Sequence, residues 1–344
     1  MPKSLRASVI LVGGLFVGLV AFLLVGDVPP GDAAVPLPAT TTEVPATTVA
    51  PPTTAGRGSL VIHAVGDVNT DISYIPALAT HGHGHAWDGL DGLFGRDDLT
   101  VVNLECTPSE LGQPADKEFV FRCDPDSLPA MGKAGVDVVN LANNHSRDHG
   151  PEALLDGRAR VEEAGMAPVG VGRDRAEAAS AAIVEANGWK VAVLGFGGVV
   201  PNPGWVAGDD HPGMADGNDI PSMVAAVEAA QAQADLVVVT VHWGVERDLQ
   251  PRAEDRRRAE ELIGAGADAI FGHHPHRLQP LEMVDGVPVA WSLGNFVWPD
   301  LSRASSTTAV ARVEIAPDGG VRACLVPAFI TSPGHPELTA DPVC

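Results

Sequence analysis

Acidic, amide and imidazole side chains recur in this chain just after short apolar runs, a combination of residue types able to hold divalent metal ions. Asp67 follows VIHAVG, Glu105 follows LTVVNL, Asn144 and His145 follow VDVVNLAN, and His242 follows LVVVTV. His273, His274 and His276 then follow ADAIFG in the stretch FGHHPHRLQPLE. Imidazole nitrogens and carboxylate oxygens suit Zn, Mn or Fe, and one carboxylate can bridge two such ions roughly 3.5–4 Å apart. Two ions sharing a water lower its pKa and clamp a phosphoryl oxygen, the requirement for hydrolysing a phosphoester.

Each residue alone has a structural reading. Asp67 could cap a helix, Asn144 a turn, and His242 beside Trp243 could be a packed core histidine. The set is harder to explain that way, because the structural reading must then hold separately for each of five strands. A rival cluster, His81, His83 and His85 in HGHGH, is interrupted by glycines and has no carboxylate fixed by a strand. It reads as a flexible surface loop that could reach over a site as a lid or bind Zn or Ni adventitiously.

The positioning elements alternate. LVIHAV (60–65), LTVVNL (99–104) and VDVVNLA (136–142) read as buried strands, as do LVVVTVHWG (236–244) and ADAIFGHH. Helices fall at 126–135, with Asp126 as N-cap and Gly135 as stop, at 151–165, over SMVAAVEAAQAQ, and over RAEDRRRAEELIGAG. Asn187-Gly188 marks a hairpin, and the last third is mostly β, turning at Asp318-Gly319. Such βα alternation followed by strands is an α/β layered fold, whose ligands gather at the C-terminal strand ends. Pro275 disfavours the helical region for His274, so GHHPH is expected to run extended. His274 and His276 would then point to one side, and His273 to the other as a packing or hydrogen-bonding residue at the strand end.

Residues Val9–Gly26 carry no charge, are about long enough to cross a bilayer as a helix, and follow Lys3 and Arg6. The favoured reading is an uncleaved single-pass anchor with the C-terminal domain outside the cytoplasm, since no clean Ala-x-Ala site follows; a cleaved signal peptide is the alternative. Residues 27–58, rich in Pro and Thr, read as a disordered tether, and 59–344 as the folded domain. A formal net charge of -22 excludes a nucleic-acid binder. A polyanionic substrate would be repelled unless bound cations reversed the local sign. Cys106, Cys123, Cys324 and Cys344 allow three disulfide connectivities, of which nearest-neighbour pairing is expected. The Gly-rich stretches lack the form of a dinucleotide or P-loop fingerprint, and no serine elbow is present.

The series GDVNTD, VVNLE, NLANNHSRDHG, VHWGVE, GHHPHRLQPLE and SLGNF, spanning about Leu60 to Phe296, resembles the CapA family of capsule or poly-gamma-glutamate synthesis proteins. That family is similar in turn to calcineurin-like metallophosphoesterases. The resemblance implies a four-layer αββα metallo-dependent phosphatase-like sandwich of two mixed sheets. It assigns Asp67 to one metal, Glu105 as bridge, Asn144 and His242 to the second metal, and divides His274 and His276 between the two. His145 matches the histidine that protonates the leaving group or stabilises the transition state, with Asp148 as its supporting partner. One departure stands out: metallophosphoesterases carry His two residues after the first Asp, where this chain has Asn69, so Asp71 or water would have to fill the gap.

The expected function is therefore a CapA-family envelope protein that is a metal-dependent, phosphoesterase-like hydrolase using metal-activated water. Its cofactors would be two divalent ions, and its partners an anionic cell-envelope polymer or phosphoester and a membrane synthetase. The alternative is a non-catalytic, metal-containing subunit that binds and exports an anionic polymer with that synthetase.

Overall fold

Apolar runs buried on both faces must be covered on both, and here two sheets cover each other while helices cover their outer faces. The computed structural model describes residues 56–342 and Cys344; the apolar stretch Val9–Gly26 and most of the Pro/Thr-rich segment lie outside the described residues. In chain order the strands are β1 (Leu60–Val68), β2 (Leu99–Leu104), β3 (Val138–Asn140), β4 (Ala167–Val169), β5 (Val171–Gly172), β6 (Ala182–Ala186), β7 (Trp189–Gly197), β8 (Gly213–Met214), β9 (Leu236–His242), β10 (Ala269–His273), β11 (Leu281–Val284), β12 (Val287–Ala290), β13 (Asn295–Val297), β14 (Thr307–Ile315), β15 (Val321–Ser332) and β16 (His335–Leu338).

The first sheet has the order β16-β15-β14-β1-β2-β3-β4, with β13 also paired to β1. Strands β1 to β4 are parallel, and β14 to β16 add an antiparallel edge. The second sheet, β11-β12-β10-β9-β7-β6, has a parallel centre with antiparallel strands at both edges. Both sheets are thus mixed. Strands β5 and β8 form a separate short pair.

Three apolar layers hold these elements together. Between the sheets, Ile62, Val101 and Val138 pack in one cluster with Val193, Val238 and Phe271. Val102 and Val139 turn the other way, toward Leu128 and Met131 of helix Leu128–Ala134 and Leu154 of helix Gly150–Glu163. On the second sheet, Val239 and Ile270 turn outward toward Val227 of helix Ile220–Gln231 and Leu262 of helix Ala253–Gly264. Each such fully buried side chain contributes roughly 1.5–3 kcal/mol. The result is the expected αββα sandwich, and the parallel strands of each sheet, β1 to β4 and β7, β9, β10 and β12, deliver their C-terminal ends to one edge.

Local details differ from expectation in two places. Asp126 is not an N-cap: Asp124 caps a 3-10 turn, Pro125–Ser127, by accepting from the Asp126 amide, and that turn leads into helix Leu128–Ala134, whose own cap position is Ser127. The HGHGH segment is not a loose loop. His81 closes helix Pro76–His81, and His83–Ala86 forms a 3-10 turn. His83 Nε2 lies 3.0 Å from Asp124 Oδ2, and the His85 ring stacks on His335 with centroids 4.3 Å apart. The glycines that make the stretch read as flexible instead supply the break between two turns, with Gly82 at φ 82°. Cys106 bonds Cys123 and Cys324 bonds Cys344, the nearest-neighbour pairing. No helix among the described residues is long and apolar enough to cross a membrane.

Candidate metal centre

Strand β1 delivers Asp67 through an irregularity in its ladders to β2 and β13. A Cβ on Gly66 would stand 2.1 Å from the Gly294 carbonyl oxygen, so only glycine admits this close approach. The Asp67 amide then donates to that carbonyl at 2.8 Å, fixing where its carboxylate emerges. Glu105 follows β2 and donates its amide to the Val68 carbonyl at 2.7 Å. His242 ends β9, paired in register with His273 at the end of β10. Adjacent strands thereby set these side chains next to one another at the sheet edge.

Two overlapping groups result. Asp67, Glu105 and His276 each place a ligand atom within 4.8 Å of the others, and so do Glu105, His242 and His274. Glu105 belongs to both. Its Oε1 lies 3.4 Å from His242 Nε2 and 3.7 Å from His276 Nε2. Asn144 Oδ1 is 2.7 Å from His242 Nε2, joining the second group. All six residues named as ligands from the sequence are therefore brought together.

The donor set fits divalent cations on a physical test. Both Glu105 oxygens are fully buried without a hydrogen-bond partner, as is His274 Nδ1. A buried ionised carboxylate with no partner costs several kcal/mol, and a cation shared between it and neighbouring imidazoles removes that cost. Electrostatics point the same way. Burial and the adjacent Asp67 push Glu105 well above its ordinary range. Burial also works to raise Asp67, but His276, with His273 and His274, outweighs it and holds Asp67 low. His276 is raised to about 9 because Glu105 and Asp67 overcome the burial that opposes its charge. Burial carries His274 down to about 3 and His273 to about 4. The two carboxylates draw positive charge to the centre.

The histidine turn is not extended. His274 has φ 95° and His276 φ 51°, a left-handed conformation that costs a side-chain-bearing residue about 1–3 kcal/mol. Pro275 bars the right-handed helical region at His274 but leaves this alternative open, and the chain uses it to fold both imidazoles inward. His273 does not point away either. Its Nε2 contacts Thr240 Oγ1 at 3.1 Å while its Nδ1 lies 3.6 Å from Asp67 Oδ1. Asn69 is likewise committed elsewhere: its Oδ1 accepts from the Asp71 amide, and its buried Nδ2 has no partner. Asp71 does not fill the gap, because its carboxylate accepts from the Ser73 amide and hydroxyl and from the Arg122 amide.

Beside the ligands, His145 Nδ1 donates to Asp148 Oδ2 at 2.6 Å. Burial holds this imidazole below its ordinary value against the pull of Asp148. The fully buried Asp148 also accepts from Lys117 Nζ at 2.7 Å and the Phe121 amide at 2.7 Å. Lys117 had no distinguishing mark in the sequence. Nor did a relay of asparagines: Asn140 Nδ2 donates to Asn103 Oδ1, and Asn103 Nδ2 to Asp67 Oδ1, each at 2.9 Å. Asn295 Oδ1 lies 2.7 Å from His276 Nδ1. The available signal was an amide near the end of an otherwise apolar strand, as in VVNLE, VVNLA and SLGNF, where a core has no use for one.

The architecture and the paired acid–imidazole groups define a metallophosphoesterase-like sandwich. The fold is similar to that of Haemophilus influenzae NAD nucleotidase, with a TM-score of 0.50 and 14% sequence identity over 79% of this chain and 56% of that one. Residues 61–300 match the family described as "Bacterial capsule synthesis protein PGA_cap", and the chain belongs to that family. It is 31% identical over 257 residues to the PGA biosynthesis protein CapA of Bacillus subtilis, covering 74% of this chain and 66% of that protein. It is 32% identical over 228 residues to the capsule biosynthesis protein CapA of Bacillus anthracis, covering 65% and 55%. In both cases the chain spans less than two-thirds of the relative's length.

Proposed function

We propose that this protein is a divalent-metal-dependent hydrolase of phosphoesters that serves the assembly of an anionic capsule polymer. The observation that carries the reading is Glu105, buried with both oxygens unpartnered between two groups of acid and imidazole ligands. Asp67, Glu105 and His276 would hold one ion, and Glu105, Asn144, His242 and His274 the other. Ions held there supply Lewis-acid polarisation of a phosphoryl oxygen and activate the attacking water.

The chain's own residues do the rest. Asp148, held by Lys117 and the Phe121 amide, fixes the proton of His145 on Nδ1 and orients the ring, leaving Nε2 for proton transfer. As the water oxygen bonds to phosphorus and the ester P–O bond breaks, His145, which must carry a second proton on Nε2 to act as the acid, delivers that proton to the leaving oxygen. That proton balances the one lost by the water. Asn103, Asn140 and Asn295 keep Asp67 and His276 in place.

The apolar stretch Val9–Gly26 and the segment after it are read as an anchor and tether that keep the domain at residues 59–344 outside the cytoplasm. The partners in this reading are a membrane synthetase and its anionic polymer; the relatives' names, a PGA biosynthesis protein and a capsule biosynthesis protein, support the polymer context. A second reading rests on Asn69, whose carbonyl is engaged with Asp71 and leaves the first group with three ligands. On that reading one ion is labile and the centre holds polymer without hydrolysing it. Metal analysis of the full chain, with turnover of a generic phosphodiester under Mn, Fe and Zn with and without chelator, decides between them. Chelator-sensitive turnover supports the hydrolase, and bound metal with no turnover under any of the three ions rejects it.

A further inference from the structure

Against His145 and His276 lies a cavity of about 410 Å3, bounded also by Phe121 and Trp298. Its wall is aromatic in a chain with only 6 Trp, 1 Tyr and 9 Phe, and the single tyrosine, Tyr74, belongs to it. The Tyr74 and Phe121 rings lie 4.6 Å apart, and Trp298 meets Phe121 edge-on at 5.9 Å. This wall touches the chemistry at two points, with Phe121 4.4 Å from the His145 ring and Trp298 4.7 Å from the His276 ring. At the rim Phe119 is 55% exposed and Leu301 68% exposed, an apolar lip that folding alone does not require. The Cys106–Cys123 disulfide ties the segment carrying Phe121 to the residue after Glu105.

Two arginines line the same cavity. The nearby Arg252, Arg256 and Arg258 are each paired with a carboxylate. Arg247 and Arg277 form no such pair among the described residues, in a protein of net charge -22. Arg277 instead donates to the His276 carbonyl at 2.6 Å. Arg247 has φ 70°, where glycine would be easier, and its backbone N–H donates a hydrogen bond to the Pro275 carbonyl at 2.7 Å. Both cations are thus tied by the backbone to the histidine turn. Glu246 is the one carboxylate in the cavity lining.

We propose that this cavity is a substrate subsite selecting small anionic esters whose leaving group is flat and apolar. The leaving oxygen must reach His145 to receive its proton, so the body of the leaving group lies beside that ring, and Phe121 and Phe119 are what it meets there. Offset or edge-on packing on such rings favours a flat group over a small alkyl one. Arg247 and Arg277 attract the anion. The proposal rests on the hydrolase reading only in calling this group a leaving group; the binding preference does not.

The test is calorimetric binding of phenylphosphonate and methylphosphonate to the full chain loaded with Mn(II). Neither ligand is hydrolysed, and whatever the ions contribute is common to both and cancels in the ratio. The wild type should prefer the phenyl compound at least tenfold. Phe119→Ala should cut that preference several-fold without moving methylphosphonate, and Leu301→Ala, a second exposed variant, should move the ratio the same way. Arg247→Ala should weaken both ligands about tenfold and leave the ratio alone. Equal binding of the two ligands by the wild type, or an unchanged ratio in both rim variants, overturns the apolar half; unchanged affinities in Arg247→Ala overturn the anionic half. A phenyl preference without turnover of the generic phosphodiester under Mn, Fe or Zn removes the hydrolase reading alone, whereas turnover without the preference removes the subsite alone.

Discussion

The two ends of the parallel strands carry similar residues and do opposite work. At the N-terminal ends, Asp98, Asp137, Asp235 and Asp268 each stand one residue before a strand and accept the amide of the neighbouring strand: Val61, Thr100, Lys190 and Val237, at 2.7 to 2.9 Å. Each also donates its own amide to the carbonyl of that same residue. The four carboxylates are caps that close the sheet ladders. At the C-terminal ends, the Glu105 carboxylate has no hydrogen-bond partner, and imidazoles from β9 and the histidine turn converge on it. An acidic residue flanking an apolar run has a structural use where a backbone donor meets it. Where none does, a ligand is implied.

Exchanging the unpartnered carboxylate should have the largest effect. Glu105→Ala is expected to reduce bound metal, measured by elemental analysis after gel filtration, to about a tenth or less of wild type, because both ion positions lose a ligand. His276→Ala should also abolish stoichiometric binding. His83→Ala should not, since His83 faces Asp124 rather than the shared carboxylate. Equal loss from His83→Ala would erase the distinction between the two histidine clusters. Next comes the proton donor: His145→Ala should lower kcat on a phosphodiester by roughly 100- to 10,000-fold with metal content unchanged. If metal left together with activity, His145 would belong among the ligands instead.

This contrast also explains what was legible in the sequence. The strands were readable because they are buried on both faces and bounded by turn residues; LTVVNL is a strand at its observed limits. The ligands were readable because each follows such a run. What escaped was set by backbone conformation and by partners far away in the chain. Nothing in HHPH distinguishes a left-handed turn from an extended one, since proline excludes only the right-handed helical region before it. Lys117 reaches Asp148 across 31 residues, and the capping aspartates reach amides 31 to 45 residues away. Pairings at that range become visible only when the strand order is known.

At the capping end the expected effect is on stability alone. Asp268→Ala leaves the Val237 amide without its side-chain acceptor at a buried strand start. A loss of about 1–3 kcal/mol is expected in urea unfolding, with metal content unchanged. Loss of metal without loss of stability would mean that the two ends of the strands are not separable as described.

The smallest effect sharpens the comparison most, because it separates a cap's hydrogen bond from its charge. Burial raises Asp137 from its ordinary 3.8 to about 6, with Asp97 adding to the rise and the Thr100 amide opposing it. Between about pH 4 and pH 6 the folded protein therefore binds more protons here than the unfolded chain does. Through this group, stability falls as pH rises across that window and stays lower above it. Asparagine keeps an oxygen for the Thr100 amide but carries no charge. Asp137→Asn should thus match wild type near pH 4 and exceed it by about 1 kcal/mol above pH 6, after allowing for solvent screening of a partly exposed group. Unfolding curves at unit pH intervals from 4 to 8 read this directly. A difference independent of pH would show that the hydrogen bond, and not the buried charge, sets the balance at this end of the strands.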